Sequence, residues 1–199
     1  MMYKVVQVIS LIVIVFLGLI VYSKAAKSVF LRRVVVCVFA FAAFAAVGFG
    51  YTLFCFPSPD EAMRFISAGT IVGMAEGKES CLVQTQGDDM GINDNFLLKT
   101  DKGYRILAPF EVQRTHISLD NQGPLYIGEV KGTADAYASG LFSEPVGSKI
   151  RITDSNGSEF KMLVDESGQE LGGSVNLLNV YAYVGRVDDD YEIYVTFDS

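Results

Sequence analysis

The chain has 199 residues, half of them apolar, and a formal net charge of −7. Residues 1–56 carry five cations and no Asp or Glu, whereas residues 57–199 carry all 23 acids against 11 cations. This division indicates two segments in different solvents. The acidic segment lacks the basic surface that nucleic-acid binding requires, which excludes nucleic acid as a partner.

Two uncharged apolar stretches predict that residues 1–56 form a transmembrane hairpin, with spans at 5–22 and 34–56. A helix rises about 1.5 Å per residue, so the second stretch exceeds the hydrocarbon thickness and the first lies near the lower limit. The lipid bilayer is therefore the partner expected for residues 5–56.

A cleaved signal peptide is the alternative for the first stretch, because Ser23 and Ala25 occupy small-residue positions after it. Cleavage there would leave Arg32 and Arg33 outside the membrane, so the hairpin is favoured.

The loop between the spans predicts the orientation. It carries four cations (Lys24, Lys27, Arg32 and Arg33), whereas only Lys4 precedes the first span. Positively charged loops remain in the cytoplasm, so the C-terminal domain is expected on the extracytoplasmic side of a multi-pass bacterial membrane protein.

Small residues are expected to bring the two spans together as an antiparallel pair. Ala42, Ala46 and Gly50 recur every four residues and form a stripe that permits close approach of two helices. If the spans sit at equal depth, Ser10 lies opposite Ala46 and Ile14 lies opposite Ala42.

The segment "FPSPDEAMRF" marks the chain leaving the membrane. Ser58 suits a helix N-cap, Pro59 suits the first helical position, and Glu61 completes a capping box. A short helix is therefore expected at the start of the exported domain.

The rest of the chain predicts a mainly-β domain, because short β-rich runs alternate with turn signals. The expected strands cover residues 70–75, 81–86, 95–100, 104–107, 111–118, 125–132, 136–142, 149–153, 159–164, 178–186 and 191–197.

The segment "NQGPLY" at 121–126 is the best internal boundary, which gives a helix plus small β-sheet at 57–120 and an immunoglobulin-like sandwich at 121–199. One continuous β-core is the alternative. Residues 57–199 are expected to fold without the anchor.

Two hairpins are expected from the apolar pattern. A three-residue loop ending at Gly157 would pair Ile152 with Phe160, and a later hairpin would place Val184 opposite Ile193.

Four segments carry a resemblance: "SPDEAMRF" at 58–65, "VGMAEGKESCLV" at 72–83, "KGYRI" at 102–106 and "VKGTADAYASG" at 130–140. They resemble small membrane-anchored or exported proteins of Gram-positive bacteria, in which a Ser-Pro-Glu-Glu-Ala-like helix follows an N-terminal hydrophobic anchor. This chain departs from that pattern by having two spans. The resemblance implies a location and a fold and does not supply an activity.

The residue types that usually carry catalysis are sparse. His116 is the only histidine and lies in an expected strand, so no catalytic, cofactor-binding or metal-binding residue is assigned. Cys55 and Cys81 could form a disulfide in an oxidising exterior, although free thiols are favoured. The acidic run "GDDMGINDN" is expected to be a solvated loop, with a calcium site as the alternative.

Three functions from different classes remain. The leading one is a membrane-anchored, non-enzymatic module that binds a protein or an envelope polymer outside the cell. The second is an accessory subunit of a membrane protein complex. The third is a glycan hydrolase, which would need two carboxylates across one groove.

We predict that a cysteine introduced by Ser199→Cys, in a chain without its native cysteines, reacts with a membrane-impermeant thiol reagent on intact cells. The cation-rich loop between the spans should lie in the cytoplasm. A control cysteine introduced by Ala26→Cys should therefore react only after permeabilisation. The reverse labelling pattern would disprove this topology.

Overall fold

The computed structural model describes residues 2–24, 28–88, 91–119, 123–145, 149–165 and 175–198. Two long apolar helices come first, α1 (Met2–Lys24) and α2 (Val29–Phe49). Each is long and apolar enough to cross a membrane. Helix α2 begins earlier than its uncharged stretch, because the Ser28 side chain caps it by accepting a hydrogen bond from the Leu31 N–H at 3.3 Å.

The two helices form an antiparallel hairpin close to the expected register. The Gln7 side-chain amide donates to the Val47 carbonyl oxygen at 2.6 Å, which satisfies a polar group in an otherwise apolar pair. Further along, Gly18 lies against Phe39: a Cβ at Gly18 would stand 3.1 Å from the Phe39 ring. The absence of a side chain at Gly18 therefore allows this close approach.

The chain leaves α2 without a linker. A 3₁₀ turn (Gly50–Leu53) leads into the two-residue strand β1 (Cys55–Phe56) and helix α3 (Pro59–Ile66). The Ser58 side chain caps α3 by accepting from the Glu61 N–H, and Pro59 occupies the first turn, as the sequence predicts. Residues 55–56, which the sequence analysis assigned to the second span, thus belong to a β-sheet.

Within the described ranges eleven further strands follow, and each overlaps one of the eleven expected from sequence. They are β2 (Thr70–Glu76), β3 (Ser80–Gln86), β4 (Ile92–Thr100), β5 (Gly103–Ile106), β6 (Val112–Leu119), β7 (Gly123–Val130), β8 (Ala136–Pro145), β9 (Lys149–Asp154), β10 (Lys161–Asp165), β11 (Val175–Tyr183) and β12 (Ile193–Asp198). A 3₁₀ turn (Pro109–Glu111) connects β5 to β6.

The strands form three sheets. The first has the order β1-β5-β4-β3-β2, the second β10-β11-β8-β7-β6, and the third contains only β12 and β9. The pairings within them are antiparallel. The mainly-β region predicted after the two apolar helices is confirmed.

The sheets pack as layers, and three apolar clusters fill the spaces between neighbouring layers. One joins α3 to the first sheet through Met63, Phe65, Val83 and Leu97. A second joins the first and second sheets, and a third joins the second sheet to the β9–β12 pair. The second sheet therefore has a neighbouring layer on each face, because alternate residues of its strands contact different clusters, while residues such as His116 and Tyr126 stay exposed.

Strand pairing corrects both expected hairpins. Strand β9 pairs with β12, so Ile152 faces Val195 and not Phe160, and Ile193 faces Asp154 and not Val184. Gly157 does adopt the expected left-handed backbone, with φ of 71°. Both expected hairpins pair segments that are neighbours in sequence. The apolar face of β9 is instead buried with β12, which lies far from it in sequence.

The boundary expected at residue 121 falls between two paired strands, since β6 pairs with β7 along its whole length. The first and second sheets also share a core that includes Leu82, Phe96, Tyr137 and Tyr181. A Cβ at Gly128 of β7 would stand 2.7 Å from the Phe96 ring, so the sheets touch closely at this point.

We predict that a soluble fragment starting at residue 54 is more stable than one starting at residue 57. The shorter fragment lacks β1 and the buried Phe56, whose ring lies 5.0 Å from that of Phe65. Loss of a buried aromatic side chain typically costs about 3–5 kcal/mol. Urea unfolding of the two fragments measures the difference, and equal midpoints would contradict the prediction.

Candidate functional site

The residues considered for catalysis from sequence lie apart. His116 is exposed on β6, with its ring 5.2 Å from that of Tyr126. Cys37, Cys55 and Cys81 are free, and burial raises the pKa of the Cys81 thiol to about 12, so this thiol stays protonated at neutral pH. Within the described ranges, no group of three or more His, Cys, Asp and Glu side chains is placed to hold a metal ion.

Part of the expected acidic loop is a strand. Asn93, Asp94 and Asn95 lie in β4, while Asp89 falls outside the described residues. Asp94 accepts hydrogen bonds from the Gln84 amide at 2.9 Å and from the Ser139 hydroxyl at 2.6 Å. The Asp94 carboxylate thus links the first sheet to the second by accepting hydrogen bonds from both. The Asp- and Asn-rich composition of the segment indicates a turn and does not predict this role.

A buried carboxylate joins the first sheet to the second at the start of β8. Asp135 precedes β8 and is only 2% exposed. Its oxygens accept from the N–H groups of Lys78, Glu79 and Ser80, and from the hydroxyls of Ser80 and Tyr183, at 2.7–3.1 Å. The donors come from the β2–β3 turn and from β11, so this one side chain fixes the turn against the second sheet.

The proton positions around this carboxylate follow from chemistry. The Ser80 hydroxyl also lies 2.8 Å from the Tyr137 hydroxyl. Because an ionised Asp135 can only accept, Ser80 donates to it and must accept from Tyr137. Burial raises the pKa of Tyr137, which keeps this phenol protonated and able to donate.

Asp135 remains ionised despite its burial. Burial alone would raise its pKa, but the hydrogen bonds from Ser80, Glu79, Lys78 and Tyr183 outweigh that effect and hold the pKa below its usual range. The depressed value means that this group stabilises the fold above its unfolded pKa of about 3.9. That stability is lost as the pH falls through the lower, folded-state pKa.

A second polar chain crosses between the sheets beside Asp94. The Asn179 side-chain amide of β11 donates to the side-chain Oε1 of Gln84 at 2.6 Å. The Gln84 side-chain Nε2 in turn donates to the Asp94 carboxylate. Gln84 and Asn179 are both buried. The chain leads from the interior to a surface cleft, so it orders the polar wall of that cleft.

This cleft is the first half of what we call the interlayer groove. It has a volume of about 430 Å³. Its walls come from β4 and from four strands of the second sheet, and they include Asn93, Asp94, Arg114, Tyr126, Ser139 and Asn179. Amides, a hydroxyl, a cation and an exposed aromatic ring thus face one cavity.

The second half of the groove is more apolar and has a volume of about 360 Å³. It shares Asp94 and Arg114 with the first half, and it extends past Phe96 to Pro109 and Tyr51. Tyr51 belongs to the turn directly after α2. The interlayer groove therefore leads from the end of the apolar hairpin to the far edge of the sheets.

Arg114 is the central cation of this groove. Its guanidinium lies 5.5 Å from the centre of the Phe96 ring, which orients it by a cation–π contact. It makes no ion pair among the described residues. Its five N–H donors can therefore bind an anionic or hydroxyl-rich ligand.

The described residues that line the groove include one carboxylate and no imidazole. Asp94 is the one carboxylate among the described residues that line it, whereas glycan hydrolysis requires two on opposite sides. The Ser139–Asp94 pair has no imidazole among those residues, so the arrangement for nucleophilic attack is not assembled.

Sequence reasoning missed Asp135 and Arg114. A signal for Asp135 exists in hindsight, because the segments at 72–83 and 130–140 quoted for the resemblance contain Ser80, Asp135 and Tyr137, which meet in one network. Comparison with known protein families, curated proteins and solved structures finds no match to this chain.

We predict that Asp135→Asn destabilises the soluble fragment that starts at residue 54 by about 3 kcal/mol, because the amide group brings N–H donors against existing donors. Denaturant unfolding at pH 7 measures this loss. The exposed control Asp101→Asn should change stability by less than about 0.5 kcal/mol.

The stability difference between wild type and Asp135→Asn should also depend on pH. The difference between wild type and Asp135→Asn should shrink as the pH falls below about 4, because the unfolded carboxylate then takes up a proton while the folded one is still ionised, which favours unfolding of the wild type. A difference that stays constant down to pH 2 would show that folding does not lower the pKa of Asp135.

Proposed function

We propose that this protein is a membrane-anchored, non-enzymatic binding module with its β-region on the extracytoplasmic side of a bacterial cell membrane. Helices α1 and α2 hold it in the lipid bilayer, with the candidate spans Val5–Lys24 and Val29–Leu53. The four cations at residues 24–33, where α1 ends and α2 begins, support this orientation, and the resemblance supports the envelope of Gram-positive bacteria. We further propose that the second sheet and the β9–β12 pair form the immunoglobulin-like sandwich expected from the sequence, which their shared apolar cluster supports.

One observation carries the binding role: the interlayer groove combines a cation, an exposed aromatic ring and ordered amides in one cavity. Arg114 and Tyr126 supply the charge and the stacking surface, and Asn179 belongs to the buried chain that orders the wall. A groove of this composition suits a polar ligand with hydroxyl or anionic groups, such as an envelope polymer or a loop of a partner protein.

The anchor supports the same role because it fixes the groove close to the membrane. Strand β1 follows α2 after a single turn and pairs with β5, and Val6 of α1 packs on the α3 cluster. A ligand bound in the groove would therefore be held at a defined height above the bilayer.

An accessory subunit of a membrane complex is the second candidate. It is favoured by an apolar groove of about 440 Å³ on the hairpin, lined by residues such as Gly18, Val35 and Phe39. A helix of a partner protein would fit there. The two candidates differ in where the partner binds, so one cross-linking experiment separates them.

We predict that a photo-reactive benzophenone amino acid at position 126 forms a specific adduct in cells, and that Arg114→Ala lowers the yield about tenfold. Losing one charge-assisted hydrogen bond accounts for that factor. The same probe at Tyr194, which is 49% exposed on the third sheet, is the positional control. Arg151→Ala, at an exposed arginine of β9, is the charge control.

Mass spectrometry of the adducts identifies the ligand class. Equal adducts at positions 126 and 194, or a yield that Arg114→Ala leaves unchanged, would contradict binding in the interlayer groove. A probe at position 40 on the hairpin that captures a membrane protein, with no adduct at 126, would favour the accessory-subunit role.

A further inference from the structure

Three large apolar side chains are exposed around the C-terminal end of α2. Leu53, Phe54 and Phe110 have 84%, 38% and 61% of their surface accessible, and we call them the basal patch. Single exposed apolar residues are common on proteins, but a group at one end of the molecule calls for a partner.

Phe110 reaches this place through the tertiary fold. It belongs to the 3₁₀ turn between β5 and β6, far from α2 in sequence. Its ring nevertheless lies 5.3 Å from that of Phe49, the last residue of α2, in an edge-to-face contact. The β-region therefore adds an aromatic residue of its own at the end of the apolar hairpin.

The turn that carries Phe110 is held rigidly. Arg105 donates two hydrogen bonds to the Glu111 carboxylate, at 2.8 and 3.0 Å, and the Ala108 N–H donates a third at 2.8 Å. Lys131 donates from its side chain to the Phe110 carbonyl oxygen at 2.7 Å. An exposed phenylalanine on a braced turn has little freedom to fold back into the core.

The surrounding charges suit a lipid headgroup layer. The carboxylate that follows Phe110 in the same turn, Glu111, is neutralised by its bidentate pair with Arg105. The exposed Lys131 contributes a cation beside Phe110. Aromatic rings with nearby cations are the residues that membrane proteins place at the water interface.

We propose that the basal patch inserts into the interfacial layer of the bilayer that holds α1 and α2, so that the β-region rests on the lipid surface. This rests on the proposed membrane anchor. The basal patch is continuous with the apolar hairpin. Helix α2 runs through a single turn into Leu53 and Phe54, and Phe110 contacts the final residue of that helix. Lipid is the partner that the chain's own connectivity brings to this position.

The chain contains no tryptophan, so a single introduced tryptophan reports its own surroundings. We would prepare Phe110→Trp in the full chain, reconstituted in vesicles of phosphatidylcholine and phosphatidylglycerol. Phe44→Trp, at a 70% exposed position of α2, controls for membrane insertion. Tyr194→Trp, on the sheet farthest from α3, controls for exposure to water.

The measurement is fluorescence quenching by lipids brominated at a shallow or a deep acyl position, and by acrylamide in the water. We expect shallow bromine to quench Phe110→Trp, deep bromine to quench Phe44→Trp, and neither to quench Tyr194→Trp. Acrylamide should quench Tyr194→Trp several-fold more strongly than Phe110→Trp.

Three outcomes would overturn the proposal, and they are distinguishable. If Phe44→Trp is quenched by lipid and Phe110→Trp behaves like Tyr194→Trp, the anchor stands and the basal patch faces water. If Phe110→Trp is shielded from both bromine and acrylamide, a protein surface covers the patch. If bromine fails to quench Phe44→Trp, both the anchor and the seating on lipid are wrong.

Discussion

Five hydrogen bonds converge on the carboxylate of Asp135, and three of them come from consecutive N–H groups of the β2–β3 turn. Ser80 is fully buried, so without the Asp135 carboxylate its N–H would lose this acceptor between two sheets, at a cost that grows in a low dielectric. Ionised Asp135 satisfies all of these donors together. It thereby fixes the relative position of the first and second sheets, on which the other interlayer contacts depend.

The polar chain through Gln84, Asp94, Ser139 and Asn179 is a second crossing point between the same two sheets. Asp135 and this chain lie four residues apart along the shared strands, with the aromatic contact of Phe96 and Tyr137 between them. Apolar packing alone would permit sliding of one sheet over the other. Two separated polar attachments specify one arrangement, and the interlayer groove inherits its shape from it.

The amino-acid sequence predicts the strands of this fold better than their partners. Alternation and turn residues are local, so all the strands from β2 to β12 are recognisable. Pairing depends on which apolar faces meet, and β9 selects β12 over its neighbour β10 for that reason. Strand β1 was missed because Cys55 and Phe56 continue an apolar run that looks like membrane span.

The same distinction applies to the candidate site. Asp94 lies in a stretch rich in Asp, Asn and Gly, so its composition indicates a loop even though its carboxylate bridges two sheets. Arg114 and Tyr126 look like ordinary polar and aromatic positions on alternating strands. Only the packing of β4 against the second sheet gathers them into one groove, and no local pattern encodes that contact.

The pairing of β9 with β12 has a consequence for biogenesis. As the chain emerges from the ribosome, β9 is synthesised well before its partner, and its Ile150 and Ile152 side chains lack their cover until β12 follows. During that interval the strand presents an unpaired edge and an apolar face, the features that promote aggregation or capture by chaperones. Secretion of the unfolded chain would lengthen the interval, so folding helpers outside the membrane would matter most for this part of the molecule.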